Sequence, residues 1–332
     1  MNAPWLHRAA LQFNQLIDAT TAPILLHGHQ ARGLYDLVHA QLGALLCEAA
    51  SRTALKPCGQ CPACHMRASN GHPDLRLLMP QAVAIDLGFP LDIKGSAKPS
   101  GDIRIDDVRD LQSYFTTASS RGADRYVVVY PFDAMNTNTA NALLKTLEEP
   151  PRGLRFVLVG NRVDNLLPTI RSRCQSLHVP QPNPSECIAW LQEQGIQAPE
   201  VALSVAMNDP FEASNLAIAQ PDQLELRRKL LEWLANPDQH AWVPAGLEKA
   251  GLAAVLELSM RLCHDCIHIA HGLKADYFGW LAPKLLWAKQ VPTHQWSLLY
   301  NSLQREFHLA HHPINPRLAL EFVGQQWQTL NQ

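Results

Sequence analysis

The feature that most restricts the fold is a change of period near residue 180. Before it, short β-type runs alternate with helical patterns; after it the pattern is helical throughout. The runs are Pro23–His27, Leu75–Met79, Tyr126–Tyr130, Arg155–Val159 and Gln175–Val179. Strands separated by helices imply crossover units and a mainly parallel sheet with helices packed on its faces. Val127–Val129 and Phe156–Val159 are continuously apolar instead of alternating, which marks central strands covered on both sides. Between Pro80 and Ile103, Gly88, Pro90, Gly95, Pro99 and Gly101 interrupt any period, so a surface loop or insertion is expected there.

Pro180, Pro182 and Pro184 end the alternating pattern and mark a first domain boundary. A second composition shift near Gln220–Gln223 precedes helical stretches at Leu224–Leu234 and Leu252–Gly272. A last helix is expected over Pro316–Leu330, with Asn315 as N-cap and Pro316 at the first helical position. No internal repeat or low-complexity tract is present.

A chain of 332 residues has material for two or three domains. Its 47% hydrophobic and 17% charged content is too apolar for disorder, and its apolar runs fall well short of the roughly 18 residues of a membrane span. With 28 Lys plus Arg against 30 Asp plus Glu, the net charge of -2 creates no general cationic field for nucleic acid or an anionic membrane. Contact with nucleic acid must then be local or shared with partners. Met1–Phe13 has no charged segment followed by a continuous apolar stretch, so a cytoplasmic location is expected.

Cys47, Cys58, Cys61 and Cys64 crowd into one stretch, whereas Cys174, Cys187, Cys263 and Cys266 are scattered. Two C-x-x-C steps sharing Cys61, with Cys47 ahead of them, supply the four thiolates of a closed tetrahedral zinc site. A closed shell leaves no position for a substrate water, so the expected role is structural. His65 and His72 are rival ligands by position, although His72-Pro73-Asp74 reads better as a turn into the next strand. Cys263-His264-Asp265-Cys266, with His268 and His271, offers a weaker second cluster in a helical stretch where buried core cysteines are the commoner outcome. Arg152, Arg155, Arg162, Arg171 and Arg173 bias the end of the first domain toward positive charge, either as a solvated face or as a surface for a partner or DNA.

Gly28-His29-Gln30-Ala31-Arg32-Gly33-Leu34-Tyr35 has the glycine spacing of a phosphate-binding loop directly after the first strand. Its chemistry is missing. Leu34 stands where a lysine would reach the phosphates, and Tyr35 where a hydroxyl would hold magnesium. After the apolar run Tyr126–Val129, Tyr130 and Pro131 occupy the places of the carboxylates that normally follow such a strand. The next carboxylate, Asp133, is expected to cap the following helix. That helix, Thr137–Glu148, runs into the string Asn141-Ala142-Leu143-Leu144-Lys145-Thr146-Leu147-Glu148-Glu149-Pro150-Pro151.

Together with Ser172-Arg173-Cys174, these strings resemble the clamp-loader family of the AAA+ ATPases. The resemblance implies an AAA+-type α/β domain over residues 1–181 with a zinc module at 47–64, a helical lid over 182–222 and an all-α collar over 223–332. It also implies a role for the Ser-Arg-Cys arginine. Arg173, with Ser172 and Cys174 as its motif, would serve as an arginine finger to the ATP site of a neighbouring subunit, where its fixed charge and planar donors meet the transferring phosphate; the alternative is that Arg173 pairs with a carboxylate on its own surface. Gly28, Gly33, Leu34 and Tyr35 would form a degenerate loop with no functional ATP or magnesium site. No sensor arginine appears in Ala206-Met207-Asn208-Asp209-Pro210.

The implied assembly is a subunit ring of the DNA polymerase III holoenzyme, in which gamma or tau motor subunits hydrolyse ATP beside a delta subunit. The ring would load the sliding clamp onto primer-template DNA, and this chain would have no ATPase activity of its own. Two other readings compete. An active P-loop ATPase requires ATP binding by the isolated chain, and a zinc-dependent DNA-binding module requires salt-sensitive DNA affinity in residues 40–80, where Lys and Arg are not clustered.

Overall fold

The computed structural model describes residues 3–29, 31–49, 56–89, 99–120, 124–236, 243–309 and 315–331. Gln30 of the glycine loop and residues 90–98 of the expected insertion lie outside them. The chain divides into two compact units, Met1–Pro182 and Asn183–Gln332.

The first unit contains, in chain order, α1 Leu6–Ala19, β1 Ile24–His27, α2 Ala31–Leu45, α3 Pro62–Ala68, β2 Leu75–Leu78 and α4 Gln81–Asp86. It continues with α5 Ile105–Asp110, α6 Gln112–Thr116, β3 Arg125–Val129, α7 Thr137–Glu148, β4 Leu154–Gly160, α8 Pro168–Arg171 and β5 Gln175–His178. The five strands form one parallel sheet in the order β2-β3-β4-β1-β5. All five strands expected from the sequence are present, each within a residue or so of its expected bounds. Val127–Val129 in β3 and Phe156–Val159 in β4 are interior strands with essentially no exposure, as their continuous apolarity requires. At the edge, β5 buries only Leu177 of its four residues.

Helix α7 begins where the Asn136 side chain accepts the N–H of Thr139 at 2.9 Å, and it stops before Pro150-Pro151. Ala140, Leu143 and Leu147, spaced three and four apart, form its buried stripe and join Phe156, Leu158 and Val127 in the core.

Two expectations are corrected. Gln81–Asp86 is helical and buries Ala84, so the stretch after Pro80 is not loop throughout; a helix of six residues is too short for its period to stand out among glycines and prolines. Asp133 does not cap α7. Its carboxylate accepts the N–H groups of Asn161 at 2.8 Å and Arg162 at 2.7 Å, fixing the turn that leaves β4. Gly160 permits that approach, because a Cβ there would lie 2.7 Å from the Asp133 carboxylate and 2.8 Å from the Phe132 ring.

The second unit is helical: α9 Pro184–Glu193, α10 Pro199–Val205, α11 Pro210–Ile218, α12 Pro221–Leu234, α13 Leu252–Ala270, α14 Thr293–Leu309 and α15 Pro316–Gln328. Proline opens most of them, where its missing N–H costs no hydrogen bond. Asn315 caps α15 as expected, accepting the N–H of Arg317 at 3.0 Å. The core around α13 holds Leu258, Leu262, Cys263 and Cys266 together with Phe278, Trp296 and Trp327. Asp265, fully buried on α13, accepts the backbone N–H groups of Asp276, Tyr277 and Phe278 at 2.8, 3.1 and 2.7 Å and so pins the segment that follows the helix. None of the helices is long and apolar enough to cross a membrane, among the described residues.

Candidate functional site

The glycine loop connects β1 to α2 at the carboxyl edge of the sheet, where open α/β sheets bind ligands. Gly28 lies so close to the end of β5 that a Cβ would meet the Val179 carbonyl oxygen at 2.4 Å, which accounts for glycine there. Leu34 is fully buried and its Cδ1 approaches the same point at 3.5 Å. Tyr35 is 3% exposed. Its ring stacks on Tyr130 at 4.6 Å between centroids and on His39 at 5.7 Å. The two positions that would serve magnesium and its water, one on each side of the cleft, are thus joined by aromatic stacking. Burial, followed by the charge of Arg67, lowers the His39 pKa to about 4, so the third ring of the stack is neutral at pH 7.

Cys47 follows α2, Cys58 and Cys61 lie in the next loop, and Cys64 lies in α3. Their four sulfurs are all within 4.8 Å of one another. The Cys47–Cys61 and Cys58–Cys64 separations are 3.8 and 3.9 Å. Disulfides require about 2.05 Å. Four Zn–S bonds of about 2.3 Å in a tetrahedron separate the sulfurs by roughly 3.8 Å, so the observed spacing fits a tetrahedral metal and not a disulfide.

Backbone N–H groups also point at the sulfurs: Cys58 N to Cys47 Sγ at 3.4 Å, Cys61 N to Cys58 Sγ at 3.3 Å and Cys64 N to Cys61 Sγ at 3.5 Å. Such bonds favour thiolate, and the one from Cys64 leads the causes that bring the Cys61 pKa down to about 6. Burial pushes Cys64 up to about 12. The four thiols share their protons as one set, and a bound cation would favour their thiolate forms. His65 is exposed on α3, and the Nδ1 of buried His72 accepts the N–H of Asp74 at 3.1 Å in the turn before β2. Neither histidine belongs to the cluster.

Ser172-Arg173-Cys174 lies between α8 and β5. Arg173 is held from two sides: it donates to the Thr169 carbonyl at 2.8 Å and forms an ion pair with Glu148 at 2.5 Å. Glu148 is the last residue of α7, so the two strings that look most distinctive in the sequence meet through one salt bridge. Arg155 and Arg171 are likewise paired, with Asp124 at 2.9 Å and Asp164 at 3.9 Å, which neutralises much of the expected basic surface.

The Cys263 and Cys266 thiols are fully buried, and burial pushes the Cys263 pKa up to about 12 and that of Cys266 well above its ordinary value. Thiols held protonated among apolar side chains are core residues. His264, His268 and Asp276 approach one another at the surface, with His268 Nδ1 3.4 Å from Asp276 Oδ2.

Residues 8–183 match the family model described as DNA polymerase III, delta subunit. The DNA polymerase III subunit delta' of Pseudomonas aeruginosa is 33% identical over 321 residues, spanning 92% of this chain and 91% of that protein. The chain belongs to the delta-prime subunit family of DNA polymerase III. The subunit delta' of Escherichia coli K12 is 26% identical over 309 residues, covering 86% of this chain and 85% of its own length. A gamma-subunit-related protein of DNA polymerase III from Thermotoga maritima aligns with 97% of this chain and 99% of its own length at 17% identity, with a TM-score of 0.47. In this delta-prime family member a five-stranded parallel sheet with flanking helices is followed by helical structure.

One residue of the site, Glu148, is not evident in the sequence. Glu148 stood inside a recognised string without an assigned partner, and no local pattern links it to Arg173. Asn136, which caps α7, was detectable as an Asn directly before a helical run.

Proposed function

We propose that this chain is a non-hydrolysing member of the clamp loader that offers Arg173 to ATP bound by an adjacent gamma or tau motor subunit. The observation that carries the reading is the Tyr35–Tyr130 stack, which occupies both halves of the cleft where a lysine, a magnesium-binding hydroxyl and a carboxylate would otherwise act. Leu34 adds no charge to bind phosphate. Without a working phosphate site of its own, the chain can use Arg173 only on a neighbour.

Further parts of the reading follow from family membership. Residues 182–222 form the lid and 223–332 the collar that packs into the ring beside the delta subunit. The loader acts in the cytoplasm and places the sliding clamp on primer-template DNA. Cys47, Cys58, Cys61 and Cys64 hold one structural zinc, supported by their sulfur spacing. Bound zinc would supply a cross-link between the end of α2 and the start of α3, with no coordination position left for a reacting group.

The test is ATPase activity of the isolated chain and of the reconstituted loader. The isolated chain is expected to show no magnesium-dependent turnover, while the assembled ring requires Arg173 for its full DNA-stimulated rate. Turnover by the pure chain, abolished by substitution of Gly33, would instead establish an active P-loop ATPase.

A further inference from the structure

Helix α13 carries His264 and His268 four residues apart, so both imidazoles project from one face of it. The neighbouring Cys263 and Cys266 thiols are locked in the core, and the histidines meet a different group, the carboxylate of Asp276 beyond the end of the helix. One ring nitrogen of each histidine and one Asp276 oxygen lie within 4.8 Å of one another. The two rings are 4.2 Å apart between centroids and tilted by 41°. The His264, His268 and Asp276 side chains are 37, 25 and 56% exposed, so an ion can reach them from solvent.

The spacing is that of ligands and not of an ion pair. His268 Nδ1 lies 3.4 Å from Asp276 Oδ2 and 3.3 Å from the Lys274 carbonyl oxygen. A charge-assisted hydrogen bond would draw nitrogen and oxygen to about 2.7 to 2.9 Å. Zinc bonds of about 2.0 to 2.2 Å to nitrogen and oxygen, at tetrahedral angles, hold those atoms roughly 3.4 Å apart. His264 is short of partners as well: its Nδ1 is buried, makes no hydrogen bond and stands 4.0 Å from Asp265 Oδ1.

Asp276 is held where it can act. Its backbone N–H donates to fully buried Asp265 at 2.8 Å, which fixes this segment against α13. Two carboxylates beside two imidazoles favour a cation over an anion.

We propose that His264, His268 and Asp276 bind one divalent transition-metal ion of the zinc class, clasping the segment after α13 to the outer face of the helix. Two imidazoles and one carboxylate suit zinc, nickel or copper and not magnesium or calcium, which take oxygen ligands. The Lys274 carbonyl or water fills the remaining position. The cysteine set lies in the first unit and this group in the second. With no thiolate among its ligands the second site binds zinc more weakly, so it fills on titration and empties on dialysis.

The experiment titrates zinc into the full, dialysed chain at about pH 7.5, where free imidazole is mostly neutral. Calorimetry in a buffer that does not bind metals measures the binding, and NMR of the histidine ring nitrogens locates it. One saturable equivalent is expected beyond the metal that the chain retains, with the His264 and His268 resonances shifted most. Losing even an outer partner of a metal ligand costs about 10- to 100-fold in affinity, so His268→Gln and Asp276→Asn, which remove ligands, should each weaken binding by about tenfold or more. Melting temperature without added zinc identifies variants that have retained the fold.

Cys61→Ser separates this site from the cysteine set, because the shifts at His264 and His268 should survive it. Absence of a saturable equivalent, equal binding of magnesium, or unshifted His264 and His268 resonances would overturn the proposal. So would unmutated affinity in a folded His268→Gln/Asp276→Asn chain, or loss of the histidine shifts in Cys61→Ser.

Discussion

Replacing Arg173 tests the trans mechanism, and the structure permits a comparison of the energies involved. An arginine finger contributes about 10³ to 10⁵ in rate at the site it serves, or about 4 to 7 kcal/mol of transition-state stabilisation. In the free chain Arg173 is engaged by Glu148 at 2.5 Å, with the two side chains 36% and 44% exposed. An ion pair so open to solvent contributes about 0.2 to 1 kcal/mol. Releasing Glu148 would therefore cost a small part of what a finger supplies, so under the proposed mechanism the pair would tether Arg173 without blocking it. The bond to the Thr169 carbonyl at 2.8 Å can persist and keep the guanidinium aimed.

In a loader reconstituted with motor and delta subunits, Arg173→Ala should leave assembly intact and remove DNA-stimulated turnover at the one site it serves, with a larger deficit in clamp loading. Arg173→Lys should also be impaired, because a point charge cannot reproduce the planar fork. Glu148→Gln, which releases the tether, should stay within about fivefold of the unmutated rate. Size-exclusion chromatography and ATPase rates on the same preparations provide the assay. If the Arg173→Ala ring assembles and every motor site turns over at the unmutated rate, the trans mechanism is wrong.

Purified chain should contain one zinc by elemental analysis, and Cys61→Ser should lose it while the sheet remains folded by circular dichroism; full zinc content in that variant would point to other ligands. The His39 pKa, lowered from 6.5 to about 4, makes folding less favourable in acid, because the unfolded chain takes up the proton first. At about 1.36 kcal/mol per pH unit the loss between pH 6.5 and 4 approaches about 3 kcal/mol, and His39→Gln should flatten this part of the stability curve measured by urea unfolding. His72 contributes in the same direction, so part of the slope should remain. Asp265→Ala strands the N–H groups of Asp276, Tyr277 and Phe278 and should cost about 3 kcal/mol or more in chemical denaturation; a change below about 1 kcal/mol would mean that water satisfies them.

The sequence by itself determined what depends on near neighbours along the chain. Alternation of periods located all five strands and the change to helix near residue 180, because each strand or helix repeats its burial over a few residues. Cysteine spacing collected the Cys47, Cys58, Cys61 and Cys64 set, since a loop of that length readily brings four sulfurs together, and residue type alone marked Leu34 and Tyr130 as lacking the usual lysine and carboxylate. Tertiary structure decided which distant groups meet. The strand order β2-β3-β4-β1-β5 brings the turn after β3 against the exit of β4, so Asp133 holds Asn161 and Arg162 and not the helix beside it in sequence. Packing likewise joins Tyr35 to Tyr130, Glu148 to Arg173, and Asp265 to the backbone beyond its helix. A side-chain carboxylate or ring carries no period that names its partner; that choice is made by the proximity and desolvation that exist only after the elements have packed.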